Sequence, residues 1–252
     1  MRNPENNALS ERNRIPTGVF TLGTVHPDTP LSAPDLPTMR STRRQACLLI
    51  CSALVHFGLL AGSTPSPAGE FNEVLSPGSP APAWVDLPGV DGKKHSLADL
   101  KATPVVVVVF TCNSCPVATE YEDRLLALAK TYASGAEAKV ALVAINVNKV
   151  KEDSLPNMKA RAEKKGFPFP YLFDETQKIA KAYGANFTPE FFVLGPDRRV
   201  VYQGAFDDAG NPAEVKHHYV VQAIEAALAG QPVKPAETLA RGCRIRYTRE
   251  RK

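Results

Sequence analysis

Five valines and a phenylalanine, Val105 to Phe110, run without a polar break. A β-branched stretch that does not alternate is apolar toward both faces of a sheet, so it needs cover on both sides. That requirement points to an α/β layered fold and argues against a sheet with one wet face. The run leads straight into Thr111-Cys112-Asn113-Ser114-Cys115-Pro116. The end of the most buried strand therefore carries two cysteines separated by two residues.

The rest of the pattern alternates short strands with helices. Trp84–Leu87 and Lys93–Ser96 flank Pro88-Gly89-Val90-Asp91-Gly92, a hairpin signal with Asp-Gly in the turn. A helix is expected over about 113–133, with Val117, Tyr121, Leu125, Leu128 and Tyr132 on one stripe. Lys139–Val147 reads as the next strand. Ser154-Leu155-Pro156 opens a helix that stops at Gly166. Tyr171–Phe173 is a short strand, and Asp174-Glu175-Thr176-Gln177 resembles a capping box for a helix ending at Gly184. Phe191–Leu194 and Val200–Tyr202 form an antiparallel hairpin, followed by a last helix at about 213–229. These elements make one domain over residues 71–232, with residues 233–252 as a C-terminal tail that carries Cys243.

Residues 1–38 show no period and read as a disordered leader or an upstream over-extension of the reading frame, with Met39 as the start. Residues 39–69 then carry Arg40, Arg43 and Arg44, the apolar stretch 46–61, and a small-residue end at Ser66-Pro67-Ala68. That is a secretory signal pattern with an expected cut after Ala68. The alternative is an uncleaved membrane anchor, for which the 46–61 segment is short. The expectation is an exported protein, periplasmic or otherwise extracytoplasmic. Of the five cysteines, Cys47 and Cys51 fall in this segment, leaving Cys112, Cys115 and Cys243, too few for a disulfide scaffold. The 30 Lys+Arg and 26 Asp+Glu are dispersed, with no basic stripe and interleaved aromatics, so no nucleic-acid partner is expected.

Sites in open α/β sheets lie past the C-terminal ends of strands. Cys112 falls there, and a helix opening beside it would favour a thiolate through its partial positive charge and unpaired N–H groups. Cys-x-x-Cys pairs have thiol pKa values lowered from about 8.5 into the range of roughly 3.5–7.5. The reading is a redox-active disulfide in which Cys112 attacks and Cys115 resolves. A metal site would need a second pair or a nearby His. His217 and His218 are adjacent on a helix pattern and point to different faces, so no metal ligands and no cofactor are assigned. Thr188-Pro189, just ahead of the strand at Phe191, is the second candidate. A cis bond there would aim the Thr188 backbone at the Cys pair and leave it free for an incoming extended chain.

Taken together, Ser79-Pro80-Ala81-Pro82, the Asp91-Gly92-Lys93 hairpin, the Phe110–Pro116 stretch and Phe187-Thr188-Pro189-Glu190-Phe191-Phe192 resemble the thioredoxin fold. The branch they resemble is the redoxin and peroxiredoxin-like (AhpC/TSA-type) one. Asp174–Gln177, Ala180–Gly184 and Gly242-Cys243-Arg244-Ile245 add to the likeness, which is to the subgroup with a Cys-Asn-x-Cys-Pro motif and covers about 74–247. The resemblance implies a thioredoxin-like α/β fold: a central mixed sheet flanked by helices, with an N-terminal β-hairpin extension. It also exposes departures. Thioredoxins proper have Trp-Cys-Gly-Pro-Cys; here Thr111 replaces the Trp and Asn113-Ser114 the Gly-Pro. Their buried Asp on the preceding strand is Val106 here, so proton transfer needs water or another group, for which Glu190 is the candidate. Peroxiredoxins place a Thr three residues before the peroxide-attacking Cys-Pro; Cys115-Pro116 fills that slot, with Cys112 where the Thr belongs. Copper-delivery proteins of the Sco type end their motif in Cys-Pro too, but their spacing differs.

The leading expectation is an exported thiol–disulfide oxidoreductase that uses Cys112 and Cys115, with Thr188 and Pro189 holding the partner strand and protein dithiols or disulfides as partners. The alternatives are a thiol peroxidase in which Cys115 attacks the peroxide, and a non-catalytic metal carrier or binding module. Cys243 is either a resolving thiol or a structural one. A membrane is a partner only if the 46–61 segment stays uncleaved.

Overall fold

The computed structural model describes residues 69–248. The leader, the signal or anchor segment through Ala68, Cys47 and Cys51 lie outside the described residues. Among those described, no helix is long and apolar enough to cross a membrane.

Strand β3 (Val105–Phe110) is the centre of the molecule, and all six residues are buried. It lies in a five-stranded sheet of order β5-β4-β3-β7-β8. It pairs in parallel with β4 (Val140–Asn146) and antiparallel with β7 (Glu190–Leu194). Outside these lie β5 (Tyr171–Phe173), parallel to β4, and β8 (Val200–Gly204), antiparallel to β7. The sheet is thus mixed, as expected. Alternation along β3 divides the core in two. Val105, Val107 and Val109 pack with Leu125, Met158 and Ile224 on one face; Val106, Val108 and Phe110 pack with Trp84, Tyr183 and Phe192 on the other. Each buried valine contributes about 2 kcal/mol of burial free energy, which is why a strand with no polar face is stable only at the middle of a two-sided core.

The first helical region departs from its sequence expectation. It is two helices, α1 (Pro116–Glu120) and α2 (Glu122–Tyr132), joined at Tyr121, and it starts at Pro116 rather than at 113. Proline is well suited to the first helical position, and it disfavours helical geometry in the residue before it. Cys115 accordingly is extended, with φ −96 and ψ 117, and caps the helix. Helix α3 (Leu155–Lys165) stops where expected, at Gly166, whose φ of 68 suits glycine. Helix α4 (Lys178–Tyr183) forms without the anticipated capping box. Asp174 instead accepts the Ile179 N–H at 2.7 Å and the Thr176 hydroxyl at 2.5 Å. Helix α5 (Tyr219–Leu228) begins later than 213, after a single turn at Pro212–Glu214.

Two small sheets flank the main one. β1 (Leu87–Pro88) and β2 (Lys94–His95) form the N-terminal hairpin across the Asp91-Gly92 turn. β6 (Phe187–Thr188) pairs antiparallel with β9 (Cys243–Arg244). Residues 233–248, expected as a tail behind the domain, instead run back across it. Gln203 N–H donates to the Ala236 carbonyl and Thr238 N–H to the Gln203 carbonyl, both at 3.0 Å. The Glu237 carboxylate accepts the N–H groups of Glu70, Phe71 and Asn72. Ile245 is buried, and the Tyr247 hydroxyl donates to the Ala185 carbonyl at 2.6 Å. Contacts of this kind are made largely by backbone and polar groups, and so leave little trace in a hydropathy pattern.

Candidate functional site

The site forms where β3 ends. Cys112 follows β3 in the loop, Cys115 caps α1, and Thr188 lies on β6 beside a cis Thr188–Pro189 bond. The cysteines are nearly sealed, at 3% and 2% exposure. The Thr188 hydroxyl is 3.3 Å from the Cys112 sulfur, and the Cys115 thiol lies 3.1 Å from the Thr188 carbonyl oxygen, to which it can donate. The two cysteines pack in one cluster with Ala118. Cys112, Cys115 and Thr188, picked out separately in the sequence, are therefore one constellation.

Cys243 joins it. Strand β9 sets Cys243 opposite Thr188, and its side chain packs against the Cys112–Cys115–Ala118 cluster. All three sulfurs are free thiols. Gly242 makes the approach feasible, because a Cβ there would collide with the Thr188 carbonyl. The Thr188 edge, expected to be open to an incoming chain, is thus already paired with the protein's own C-terminal segment.

The electrostatics favour negative charge on Cys115 over Cys112. The Cys115 thiol is pulled to lower pKa, first by the hydrogen bond from Cys112, then by the Cys243 thiol and the N–H groups of Ala118 and Cys243. Burial and the neighbouring Thr188 carbonyl oppose this, but four donors outweigh one acceptor. The Cys112 thiol is pushed up, first by its interaction with Cys115, then by burial and by the charge of Asp153, against the Thr188 and Ser114 hydroxyls that point at it. The expectation of an acidic sulfur at 112 assumed a helix opening there. Pro116 moves the opening to Cys115, and the Ala118 N–H, 3.4 Å away, points at that sulfur instead. The signal was present in the sequence as a proline at the first helical position.

Sequence reasoning missed Asp153. It closes the short turn Lys151–Asp153 after β4, and it is fully buried. Its carboxylate accepts the Asn113 N–H at 2.6 Å, the Ser114 N–H at 3.1 Å and the Ser114 hydroxyl at 2.5 Å. Asn113 is tied further, donating to the Glu152 carbonyl and accepting from the Tyr171 hydroxyl. The two residues between the cysteines are thereby held rigidly. The one available hint was an acid in a loop at the C-terminal end of a central strand.

Glu190, the proton-transfer candidate, is buried beside Pro189, but its carboxylate faces backbone rather than sulfur. It accepts the N–H groups of Asn186 at 2.7 Å and Phe187 at 2.9 Å. Burial pushes its pKa up to about 7, against those two hydrogen bonds. Among the described residues, no group of three or more His, Cys, Asp or Glu is arranged to hold a metal ion.

A family model described as the AhpC/TSA family matches residues 77–203. An uncharacterized conserved protein from Geobacillus kaustophilus, of known structure, is 37% identical, covering 71% of this chain and 96% of that one, with a TM-score of 0.65. A structure from Chlorobium tepidum named "putative Thiol:disulfide interchange protein DsbE" is 23% identical, covering 61% of this chain and 99% of that one, at a TM-score of 0.50. This second likeness speaks to the thioredoxin-like fold alone. A Mycobacterium tuberculosis protein named "Putative peroxiredoxin MT2597" is 28% identical over 115 residues, 44% of this chain. The chain spans 65% of that relative's length.

Proposed function

The chain belongs to the AhpC/TSA family of thioredoxin-fold oxidoreductases, and from that premise we propose that it is a thiol–disulfide oxidoreductase whose redox couple is Cys112–Cys115. The observation that carries this is the pair of cysteines packed together at the end of β3, both sulfurs in contact with Thr188. Cys115 is the sulfur that ionises and forms a mixed disulfide. Cys112 then attacks the Cys115 sulfur; the Cys112–Cys115 bond forms, the mixed disulfide breaks, and the displaced thiolate takes up a proton. Thr188 accompanies both sulfurs through the exchange, its hydroxyl toward Cys112 and its carbonyl toward Cys115. The partners are protein thiols and disulfides. Export is part of the same proposal, resting on the basic and apolar run of residues 39–68; a mature N-terminus at Gly69 by mass spectrometry would support it, and an intact 39–68 segment would count against it.

The test is peptide mapping of the oxidised full chain together with the potential of the couple in a dithiothreitol redox buffer. A disulfide linking Cys112 and Cys115 that responds reversibly to the buffer is expected. Two thiols that never link would overturn the reading.

One observation favours a second reading. Cys115 caps a helix, is followed by Pro116 and carries the stabilised charge, which suits a peroxide-attacking cysteine. In that chemistry the Cys115 thiolate attacks the O–O bond and becomes a sulfenic acid, with water leaving; Cys112 condenses with it, releasing a second water and forming the same disulfide. Hydrogen peroxide consumption faster than disulfide reduction would select this reading, and the reverse order would select the first.

A further inference from the structure

The edge of β6 is where an extended partner chain would add to the fold, by backbone pairing next to the sulfurs. In the structure that edge is occupied. β9 runs antiparallel to β6 with Cys243 opposite Thr188 and Arg244 opposite Phe187. It is anchored beyond Cys243: Ile245 N–H donates to the Asn186 carbonyl at 2.9 Å, and the Arg244 guanidinium lies 5.5 Å over the Phe187 ring. The strand is therefore held as a bound substrate strand would be, and the residue it brings to the sulfurs is a cysteine.

The three thiols differ in access. Cys112 and Cys115 are sealed, whereas Cys243 is only half-buried and is the sulfur nearest to solvent. Cys112 and Cys115 pack together, and Cys243 packs against the pair. The Cys243 thiol is pushed up, first by its interaction with Cys115 and then by burial, with the Val117 N–H acting the other way. An external disulfide meets Cys243 first, the most exposed of the three cysteines.

We propose that β9 is a built-in substrate strand and that Cys243 is the entry thiol, relaying disulfides between an external disulfide and the sealed Cys112–Cys115 couple. The proposal rests on the oxidoreductase reading above and names the sulfur through which that couple meets its substrate. Three exchanges complete the transfer. Cys243, handing its proton to the Cys115 thiolate, attacks an external disulfide, joins one of its sulfurs and releases the other, which takes that proton and leaves as a thiol. The Cys115 thiolate attacks the Cys243 sulfur, forms Cys115–Cys243 and releases the second external thiol. Cys112 attacks the Cys115 sulfur, forms Cys112–Cys115 and returns Cys243 as a thiolate, which takes up a proton from solvent. The couple has lost two electrons and the Cys112 proton; the external disulfide has gained those electrons and two protons, the second in effect from solvent. Cys243 is unchanged. A reducing dithiol runs the same steps backward.

The experiment uses the full chain, oxidised glutathione as the disulfide, and two variants. In Cys112→Ser the last step is blocked, so a Cys115–Cys243 link should accumulate in mapped peptides, with the glutathione released. In Cys243→Ser, formation of the Cys112–Cys115 disulfide from the reduced protein should slow by about tenfold or more, while the same disulfide is still reached at equilibrium. A Cys112→Ser protein that retains glutathione on Cys115 without linking to Cys243, or a Cys243→Ser protein that oxidises at the wild-type rate, would overturn the relay and leave the couple standing. Absence of a Cys112–Cys115 disulfide in the wild type would instead remove the underlying reading.

Discussion

Two loops bracket the sulfurs, and each is pinned from beneath by a buried carboxylate. Asp153 holds the Asn113-Ser114 loop on the cysteine side, and Glu190 holds the Asn186-Phe187 loop that leads to Thr188. The two differ in what they accept and in what lies within their field. Asp153 receives two N–H groups and a hydroxyl, and its charge bears on Cys112. Glu190 receives two N–H groups, and the other charge that bears on it is that of Glu237. Burial therefore wins at Glu190, which titrates near 7. The contrast teaches that a buried acid beside a redox pair can be a structural pin without joining the chemistry, and that a short hydrogen-bond list decides which it is.

The strongest way to break the comparison is to remove the better-connected pin. Asp153→Ala leaves two half-buried N–H groups and a hydroxyl without their acceptor, and should cost about 3 kcal/mol of stability by urea denaturation. A variant as stable as the wild type would show that the carboxylate pins nothing.

Next in size is the pH dependence at Glu190. Its folded pKa, about 7, lies above the ordinary value of 4.5, so the folded state keeps a proton that the unfolded chain has released. The stability this group contributes is complete below pH 4.5 and is lost as pH rises through about 7. Its full span is on the order of 3 kcal/mol. Glu190→Gln should flatten that decline and should be more stable than the wild type above the window. Parallel stability curves for the two proteins would contradict a raised pKa.

A finer cut keeps the Asp153 acceptor and removes only the charge. Asp153→Asn should lower the proton affinity of Cys112 by about threefold, read from the pH profile of Cys112 alkylation. The same profile in Glu190→Gln should not move, and a shift there would erase the distinction between the two acids. A comparably small effect belongs to Ser114→Ala, which removes the hydroxyl donated to Asp153 and should cost about 1 kcal/mol by urea denaturation.

Much of the scaffold was legible from local pattern. The valine run predicted β3 to the residue, Gly166 ended α3, and the Phe191–Leu194 and Val200–Tyr202 segments paired as a hairpin. The Cys pair and Thr188-Pro189 were visible as motifs because each is local in sequence. Misplacing the acidic sulfur came from extending a helical stripe backward past Pro116, where a local rule should have stopped it. Asp153 and β9 were hidden for a different reason. Asp153 lies in a loop where acids are common, and β9 is a two-residue strand in a basic stretch whose partner is backbone.

By itself, the sequence determined that a doubly buried strand would deliver two cysteines to the start of a helix, since hydrophobic periodicity and proline geometry act between neighbours. Only the tertiary structure decided that Cys243 packs against the pair, that Asp153 reaches under the loop between the pair, and that the C-terminal segment fills the Thr188 edge. Those contacts join residues remote along the chain, and the hydrogen bonds and charges that set a thiol's acidity take effect only once folding has brought them together.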